Sequence, residues 1–417
     1  MHVDVVNILI QAAPTTVNVI SETAMISLRQ SIWNDDVDVM NLLLQAGATT
    51  LDGATPLHYA ALSGNLKVMT ELLRQSADNS PQNDDGVTPM HFAALCGDNA
   101  LISLLRTVGA DISCRDRKGR MPIHIAAYYA QLPTLNILVE NGGVEVQDDR
   151  GRTPLHYLGG AMAFRLGPRA EKQVQFYSGK AEKFSGNMSR ASIEFLVDGG
   201  ANISLRDKHG CTAVFYAALN GRIEALEAFI AAGANVWEQD VEGATPMFYA
   251  ASGGHTQAIM GLQKAGASIK ARDYSGQTAI FYAATNGHTR AVKTLYELSA
   301  DVSSRDQQGC TPLFYAAAED HSDVVTLLMD LGADPSTVNL KGESPRSIAA
   351  RLNKSAAVAA LDEKLAPQGP LRMESEPRAT DTPQMVLPPS VQEDGPLNQM
   401  VKEPPVQTVS FCSDCLA

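Results

Sequence analysis

Four histidines stand at regular intervals in the first half of the chain and are the first candidates for chemistry. His58, His91, His124 and His156 follow one another every 32 or 33 residues. Imidazole is a common zinc ligand, so such a series could indicate a row of metal sites. Each histidine, however, occupies the same position of a recurring motif, and equivalent residues of successive packed helices lie about 10 Å apart. Two histidines at that distance cannot share an ion, so we expect all four to be structural.

Other motifs associated with catalysis or cofactors are incomplete. The SGK sequence at 178–180 resembles the end of a phosphate-binding loop, but Val174 occupies the position of its first glycine. Cys412 and Cys415 form a C-x-x-C pair without a second pair or a nearby histidine to complete a zinc site. The sequence also has neither H-E-x-x-H nor G-x-S-x-G. We therefore predict a protein that is not an enzyme and that uses no cofactor or metal.

A cluster of basic and aromatic residues near the middle of the first half is the best candidate for a binding site. Tyrosine and arginine dominate binding hot spots, and arginine can hold a carboxylate through two parallel hydrogen bonds. We expect the cluster to bind an acidic or carboxylate-bearing peptide. The alternative is a solvated group of charges with two tyrosines packed against their neighbours. The candidates are Arg115, Arg117, Lys118, Arg120, Tyr128, Tyr129, Arg150 and Arg152.

These residues belong to a unit that repeats about every 33 residues. The sequence TPLHYAA at 55–61 returns as TPMHFAA at 88–94, as MPIHIAA at 121–127 and as TPLHY at 153–157. Proline suits the first turn of a helix, and the threonine before it suits the N-cap. The alanine pair favours a helix and lets neighbouring helices approach closely. Each copy therefore predicts a short helix, and a Leu-rich second helix follows it.

In the second half of the chain the motif continues with phenylalanine in the place of histidine. We expect these phenylalanines to replace the polar contacts of the histidines with stacked apolar contacts. An aromatic ladder that binds a coenzyme is the alternative. The four residues are Phe215, Phe248, Phe281 and Phe314.

A period of 33 residues with a T-P-L-H-x-A core resembles the ankyrin-repeat family. The resemblance covers about residues 20 to 362. It implies an all-α repeat solenoid, an ankyrin array of about nine to ten helix-turn-helix repeats with hairpin finger loops. It also implies that the motif threonine and histidine are hydrogen-bonded within the stack, and that partners dock in a concave groove. The matching residues are Thr55, His58, Thr88, His91, His124, Thr153 and His156, with the four phenylalanines in the second half.

The repeats divide the chain into segments of different character. The start resembles the second helix of a repeat whose first helix is missing, so we expect either a shortened array or a makeshift cap. The insertion holds six Lys/Arg and two Glu and predicts either a solvated loop or a partner-binding loop. The segments are a partial or truncated repeat at 1–20, a His-type block at 21–160, the basic insertion at 161–190, a Phe-type block at 191–339, a capping repeat at 340–362 and a Pro-rich disordered tail at 363–417.

Composition narrows the class of partner. The 33 Lys+Arg against 46 Asp+Glu give a net charge of −13, which argues against nucleic acid or an anionic membrane as the main partner. No apolar run approaches the roughly 20 residues of a membrane span. The six cysteines are too scattered for a disulfide framework. We expect a monomer in the cytoplasm or nucleus whose partners are other proteins.

The resemblance names an architecture, and several functions remain open at this point. We predict a non-enzymatic scaffold or adaptor that binds a partner protein in the ankyrin groove. One alternative is a regulatory ankyrin segment of a larger enzyme or channel. Another is the substrate receptor of a ubiquitin ligase, although no ligase-recruiting box is recognisable in 363–417.

Overall fold

A computed structural model of the chain describes residues 27, 30–32, 34–45, 53–75, 78–160 and 187–365. The partial repeat predicted at 1–20, the predicted insertion up to residue 186 and the predicted tail from residue 366 lie outside these residues. All regular secondary structure within the described residues is helical.

The first helix of each repeat starts directly after the threonine, methionine or serine that opens its motif. These first helices are α2 (Pro56–Ser63), α4 (Pro89–Cys96), α6 (Pro122–Tyr128), α8 (Pro154–Leu158), α10 (Ala213–Leu219), α12 (Pro246–Ser252), α14 (Ala279–Thr285), α16 (Pro312–Ala318) and α18 (Pro345–Arg351).

A second helix follows in each repeat and carries the Leu-rich sequences. These second helices are α1 (Val37–Gln45), α3 (Leu66–Gln75), α5 (Asn99–Thr107), α7 (Leu132–Gly142), α9 (Asn187–Asp198), α11 (Ile223–Ala231), α13 (Thr256–Lys264), α15 (Thr289–Glu297), α17 (Ser322–Asp330) and α19 (Ser355–Leu365).

The ends of α2 show why the motif makes so short a helix. Thr55 has extended backbone angles and Pro56 occupies the first turn, where its missing amide costs no hydrogen bond. At the other end Gly64 adopts φ +73°, a left-handed conformation that glycine reaches without strain. The chain thus reverses after two turns and enters α3.

Helices of the same kind pack on one another along the array. Each first helix contacts the first helix of the next repeat, and each second helix contacts the next second helix. The alanine pairs, such as Ala60 and Ala61, are fully buried between first helices. One apolar core therefore runs from Ile32 to Leu361, and the fold is an all-α repeat solenoid.

The stack continues across the residues at 161–186. First helix α8 packs on α10, and second helix α9 packs on α7 and α11. The ring nitrogen Nε2 of His156 lies 3.1 Å from the carbonyl oxygen of Cys211. The His-type and Phe-type repeats are thus joined by the same contacts that join repeats within each block.

The last repeat has a buried side and a charged side. Ala357 and Leu361 of α19 are fully buried against the preceding repeat. On the outer side Arg346 forms an ion pair with Asp362 at 2.5 Å, and both side chains are about half exposed. Helix α19 reaches Leu365, three residues beyond the end predicted for the capping repeat.

Candidate protein-binding edge

From Asn83 onward, each repeat begins in a tight turn, here called a finger, which is held by one aspartate or asparagine that is buried in every finger except the one at Asn83. In the finger of Asp116, Oδ1 accepts hydrogen bonds from the amides of Lys118 at 2.9 Å and Arg120 at 2.8 Å. The two residues after this anchor form the fingertip and are exposed or half-exposed in every repeat. The anchors are Asn83, Asp116, Asp148, Asp207, Asp240, Asp273, Asp306 and Asn339.

Backbone hydrogen bonds join neighbouring fingers. The amide of Asp149 donates to the carbonyl of Lys118 at 3.1 Å, and the amide of Lys208 donates to the carbonyl of Arg150 at 2.9 Å. The same bond recurs between all later fingers, up to Leu340 and Gln308. The result is one continuous fingertip edge, made of residues 84–85, 117–118, 149–150, 208–209, 241–242, 274–275, 307–308 and 340–341.

Arg120 and Arg152 are not available to a partner, contrary to the expectation from sequence. Each stands four residues after a finger anchor, so its side chain folds back onto the anchor carboxylate. Arg120 Nη2 lies 2.6 Å from Asp116 Oδ2, and the arginine side chain is only 4% exposed. Arg152 Nη2 lies 2.8 Å from Asp148 Oδ2 and is 2% exposed. The D-x-x-x-R spacing was the signal that could have predicted these pairs.

Burial and ion pairing have opposite effects on the pKa of Asp148, the anchor that pairs with Arg152. Desolvation raises the pKa of Asp148, whereas the charge of Arg152 and the hydrogen bonds from Arg152 and Tyr157 lower it. The net effect holds the pKa below its ordinary value, so Asp148 is an ionised carboxylate within the stack. Its contacts include the hydroxyl of Tyr157 at 2.7 Å.

Arg115 connects neighbouring fingers. Its Nη1 donates to the carbonyl of Gly119 in its own finger and of Gln147 before the next one, both at 2.7 Å. Arg272 makes the equivalent contact to the carbonyl of Arg305 at 2.8 Å. Because an arginine recurs just before the anchor, we interpret it as a residue that links neighbouring repeats by hydrogen bonds. We therefore assign Arg115 to the framework of the edge.

The structure does not bring Tyr128 and Tyr129 close to Arg117 and Lys118 at the fingertip. They lie at the C-terminal end of α6, roughly 10 Å from its finger by the rise of seven helical residues. Their rings contact each other edge to face at 5.1 Å, and the guanidinium carbon of Arg222 lies 4.7 Å from the centre of the Tyr128 ring. Burial raises the pKa of Tyr129 to about 12. The pair is packed against its neighbours, as in the alternative interpretation.

Three of the predicted residues remain on the fingertip edge, and a fourth was missed. Arg117 and Lys118 are exposed and Arg150 is half-exposed. Partial burial and the nearby charge of Arg120 lower the pKa of Lys118, which reflects a concentration of positive charge there. Lys208 is exposed on the next finger along and was not among the sequence candidates because the insertion separates it from them in the chain. Arg117, Lys118, Arg150 and Lys208 are called the basic fingertips below.

The motif histidines hold one repeat to the next. His58 Nδ1 accepts from the amide of Thr55 at 2.9 Å, so the proton of the neutral ring lies on Nε2, which is 2.9 Å from the carbonyl of Val87. Burial lowers the pKa of His58 to about 4, which keeps the ring neutral near pH 7. His91 and His156 have equivalent bonds to carbonyls of the following repeats, and His124 Nε2 lies 3.1 Å from the carbonyl of Val146.

These histidines show no arrangement suited to a metal. Within the described parts of the chain, no group of three or more His, Cys, Asp or Glu side chains is placed to hold an ion. The threonine hydroxyl completes the local network in three of the four copies, with oxygen-to-Nδ1 distances of 2.9–3.0 Å. In the His124 copy Met121 occupies the position of the threonine, so only its backbone amide takes part.

Three of the four motif phenylalanines meet the tyrosine of the next repeat edge to face. Phe215 and Tyr249 have ring centres 5.2 Å apart at 87°, and Phe248 and Tyr282 repeat this geometry. The phenylalanines thus make apolar contacts where the histidines make polar ones, and the rings meet edge to face. All four phenylalanines are at most 2% exposed, which leaves no accessible face for a coenzyme.

Buried packing residues that recur in every repeat and a variable exposed edge define the class of this molecule as a helical repeat solenoid. A profile of ankyrin repeats in three copies matches residues 25–116, 97–158, 183–273 and 261–339, which is more than half of the chain. The chain belongs to the ankyrin-repeat family. Ankyrin repeats are generally modules of protein–protein interaction.

Two further findings bear on function. The comparison with curated proteins found no match. None of the helices in the described residues has both the length and the apolar character needed to cross a membrane.

Proposed function

We propose that this chain is a non-enzymatic scaffold or adaptor that binds an acidic segment of a partner protein along its fingertip edge. The observation that carries this proposal is the positive charge on three consecutive fingers, from Arg117 to Lys208, with Asp149 as the one acidic fingertip residue between them. The neighbouring positions in the stack are filled by nearly the same buried residues in each repeat.

The electrostatics favour an acidic ligand at this place. The chain as a whole carries a net charge of −13, so a group of basic residues is a local exception to its overall charge. Complementary charge on a limited patch steers association and sets the register of the partner more than it adds raw affinity. Arg117 can also hold a carboxylate through paired hydrogen bonds.

A reducing compartment fits the thiols of the stack. Cys114 and Cys310, two buried cysteines of the stack, are not in disulfide bonds. Free thiols persist in the cytosol and nucleus, so we place the protein in one of these compartments. We expect it to act there as a monomer, without a cofactor and without nucleic acid as its main ligand. Binding of RNA that falls steeply with salt would contradict the last point.

The test compares partners recovered by affinity purification. A variant with Arg117→Glu, Lys118→Glu and Arg150→Glu reverses three of the basic fingertips. A matched control reverses three exposed lysines of the second helices and their following loop, Lys264→Glu, Lys270→Glu and Lys293→Glu. We expect the fingertip variant to lose specific partners that the control retains. Identical partners in all three samples, or turnover of a substrate by the purified chain, would contradict the proposal.

A further inference from the structure

The fingertip edge changes character in its second half. The first fingertip residue is charged in the early fingers, at Asp84, Arg117, Asp149 and Lys208. It is uncharged in the later ones, where Val241, Tyr274, Gln307 and Leu340 occupy the same position. The change falls between the fingers anchored by Asp207 and Asp240. Fingers with a charged first residue are therefore followed on the same edge by four fingers whose first residue is apolar in three cases, here called the apolar stretch.

The apolar stretch is unusually exposed for side chains of this size. Val241 is 62% exposed, Tyr274 is 65% exposed and Leu340 is 79% exposed, which is the highest value for any large hydrophobic residue described. Single exposed apolar residues are common on any protein, but three at the same repeat position form a line. Val241, Tyr274 and Leu340 are called the apolar fingertips below.

The apolar fingertips are held in position by the fingers themselves. The amides of Val241, Tyr274 and Leu340 each bond to the previous finger at 2.9–3.0 Å. The Tyr274 ring also lies against the backbone of Gly243, where an added Cβ would be 2.7 Å from a ring carbon. The side chains therefore face solvent without the conformational freedom of a loose loop, which lowers the entropy lost when a partner binds.

The spacing of the fingers selects the kind of segment that can contact all of them. Successive fingers are separated by about 10 Å, the usual distance between packed helices. An α-helix rises about 10.5 Å in seven residues, so side chains seven apart meet successive fingers. An extended strand places side chains on one face about every 6.6 Å, so it meets only every second finger and cannot contact Val241 and Tyr274 together. The pitch thus matches a helix.

We infer that the edge binds one amphipathic α-helix of the partner protein, with apolar residues at seven-residue spacing over the apolar fingertips and acidic residues continuing toward Lys208 and Arg150. The distance from Val241 to Leu340 covers three intervals, or about 30 Å, which is the length of a helix of about 20 residues. The inference rests on the proposed function and specifies its ligand. In this arrangement the basic fingertips contact the acidic end of the partner helix.

The experiment selects ligands from a displayed library of segments of about 30 residues, long enough for a helix of about 45 Å. The full chain is used for selection. Binding of the selected segments is then measured for a variant with Val241→Ser, Tyr274→Ser and Leu340→Ser. The matched control is Met260→Ser, Tyr296→Ser and Leu352→Ser, which removes exposed apolar side chains away from the fingertip edge. Thermal unfolding checks that both variants remain folded.

We expect the selected segments to be helical when bound, with apolar residues seven apart and an acidic flank. Their affinity should fall about tenfold or more in the apolar-fingertip variant and stay unchanged in the control. Gln307→Leu, which completes the apolar line, should tighten the same segments. Selected segments without this pattern, or equal affinity for variant and control, would overturn the inference.

Two further outcomes separate this inference from the function on which it rests. Segments that respond to the charge reversal at Arg117, Lys118 and Arg150 but not to the apolar-fingertip variant would leave the function standing and remove the helix. Self-association of the chain that disappears in the apolar-fingertip variant would assign this surface to a second copy and overturn the inference. Failure of both sets of variants to change any interaction would remove both proposals.

Discussion

Each finger is anchored by one aspartate or asparagine, and the groups around the anchor determine which of the two residues occurs. Asp207, Asp240 and Asp306 each accept from the hydroxyl of the tyrosine nine residues later, at 2.5–2.7 Å. At Asp116 this tyrosine is replaced by Ile125, and Arg120 provides the missing partner instead. Where neither tyrosine nor arginine is present, the anchor is the neutral Asn83. A charged anchor therefore occurs only with a donor to its second oxygen.

Replacing Arg120 tests this rule. Arg120→Val leaves the carboxylate of Asp116 buried without its counter-ion and is expected to cost about 3–5 kcal/mol in the free energy of unfolding. Asp116→Asn with Arg120→Val recreates the pair found at Asn83 and Val87 and should restore most of the loss. Urea unfolding of the two variants measures both effects. A double variant no more stable than Arg120→Val alone would contradict the rule.

The motif histidines predict a loss of stability in mild acid. The pKa of His58 and of His124 is about 4 in the folded chain, against an ordinary value of 6.5, because burial disfavours the charged ring. The unfolded chain then binds more protons between these values. The stabilisation is complete above pH 6.5 and falls as the pH drops through 6.5 toward 4, by about 3 kcal/mol for each histidine.

The phenylalanines of the second half of the chain suggest a control for this pH dependence. His58→Phe and His124→Phe place at these sites the residue that occupies the same position in the second half. The double variant should show a flatter dependence of the free energy of unfolding on pH between 4 and 6.5, measured in urea at several pH values. A slope equal to that of the unmodified chain would mean that other groups cause the acid sensitivity.

The turn between the two helices of a repeat depends on glycine and on a side chain of the next repeat. Gly254 adopts φ +71°, and a Cβ there would lie 2.7 Å from the ring of His288. The His288 ring donates through Nε2 to the carbonyl of Ser252 at 2.7 Å and cannot move without losing this bond. The same arrangement recurs at Gly221 with His255 and at Gly287 with His321.

Gly254→Ala should therefore be more destabilising than an alanine at a left-handed glycine with open space. Gly332 has φ +96° and no atom within 4 Å of an added Cβ, so it provides the comparison. A left-handed alanine costs about 1–2 kcal/mol at either site. We expect the additional contact with His288 to make the Gly254 variant the less stable of the two in thermal unfolding. Equal stabilities would show that the turn adapts without cost.

The helices were the part of the fold that sequence could predict, because each copy of the motif carries its own start and stop signals. The proline, the preceding threonine and the final glycine fix the ends of α2 locally. Functions of single side chains on the fingers could not be predicted in the same way. Arg117 and Arg120 look alike in the sequence, yet one is exposed and the other lies buried on Asp116. Their difference depends on how a turn folds back on its anchor.

In the chain as a whole, the residues that hold the stack together differ from those proposed to bind a partner. The core residues and finger anchors recur from repeat to repeat, so the stack forms without regard to the residues at the fingertips. Lys208 and Val241 are examples. Their neighbours on the edge are fingertip residues of other repeats, and these come close only when the repeats stack. The basic and apolar stretches of the edge are therefore properties of the assembled solenoid.

Hydrogen–deuterium exchange of the chain with and without a bound partner segment tests most directly whether recognition lies on this edge. We predict slower exchange at the fingers from 115–120 to 338–343 and unchanged exchange in the second helices α13, α15 and α17. Slower exchange confined to those second helices, with the fingers unaffected, would contradict the account.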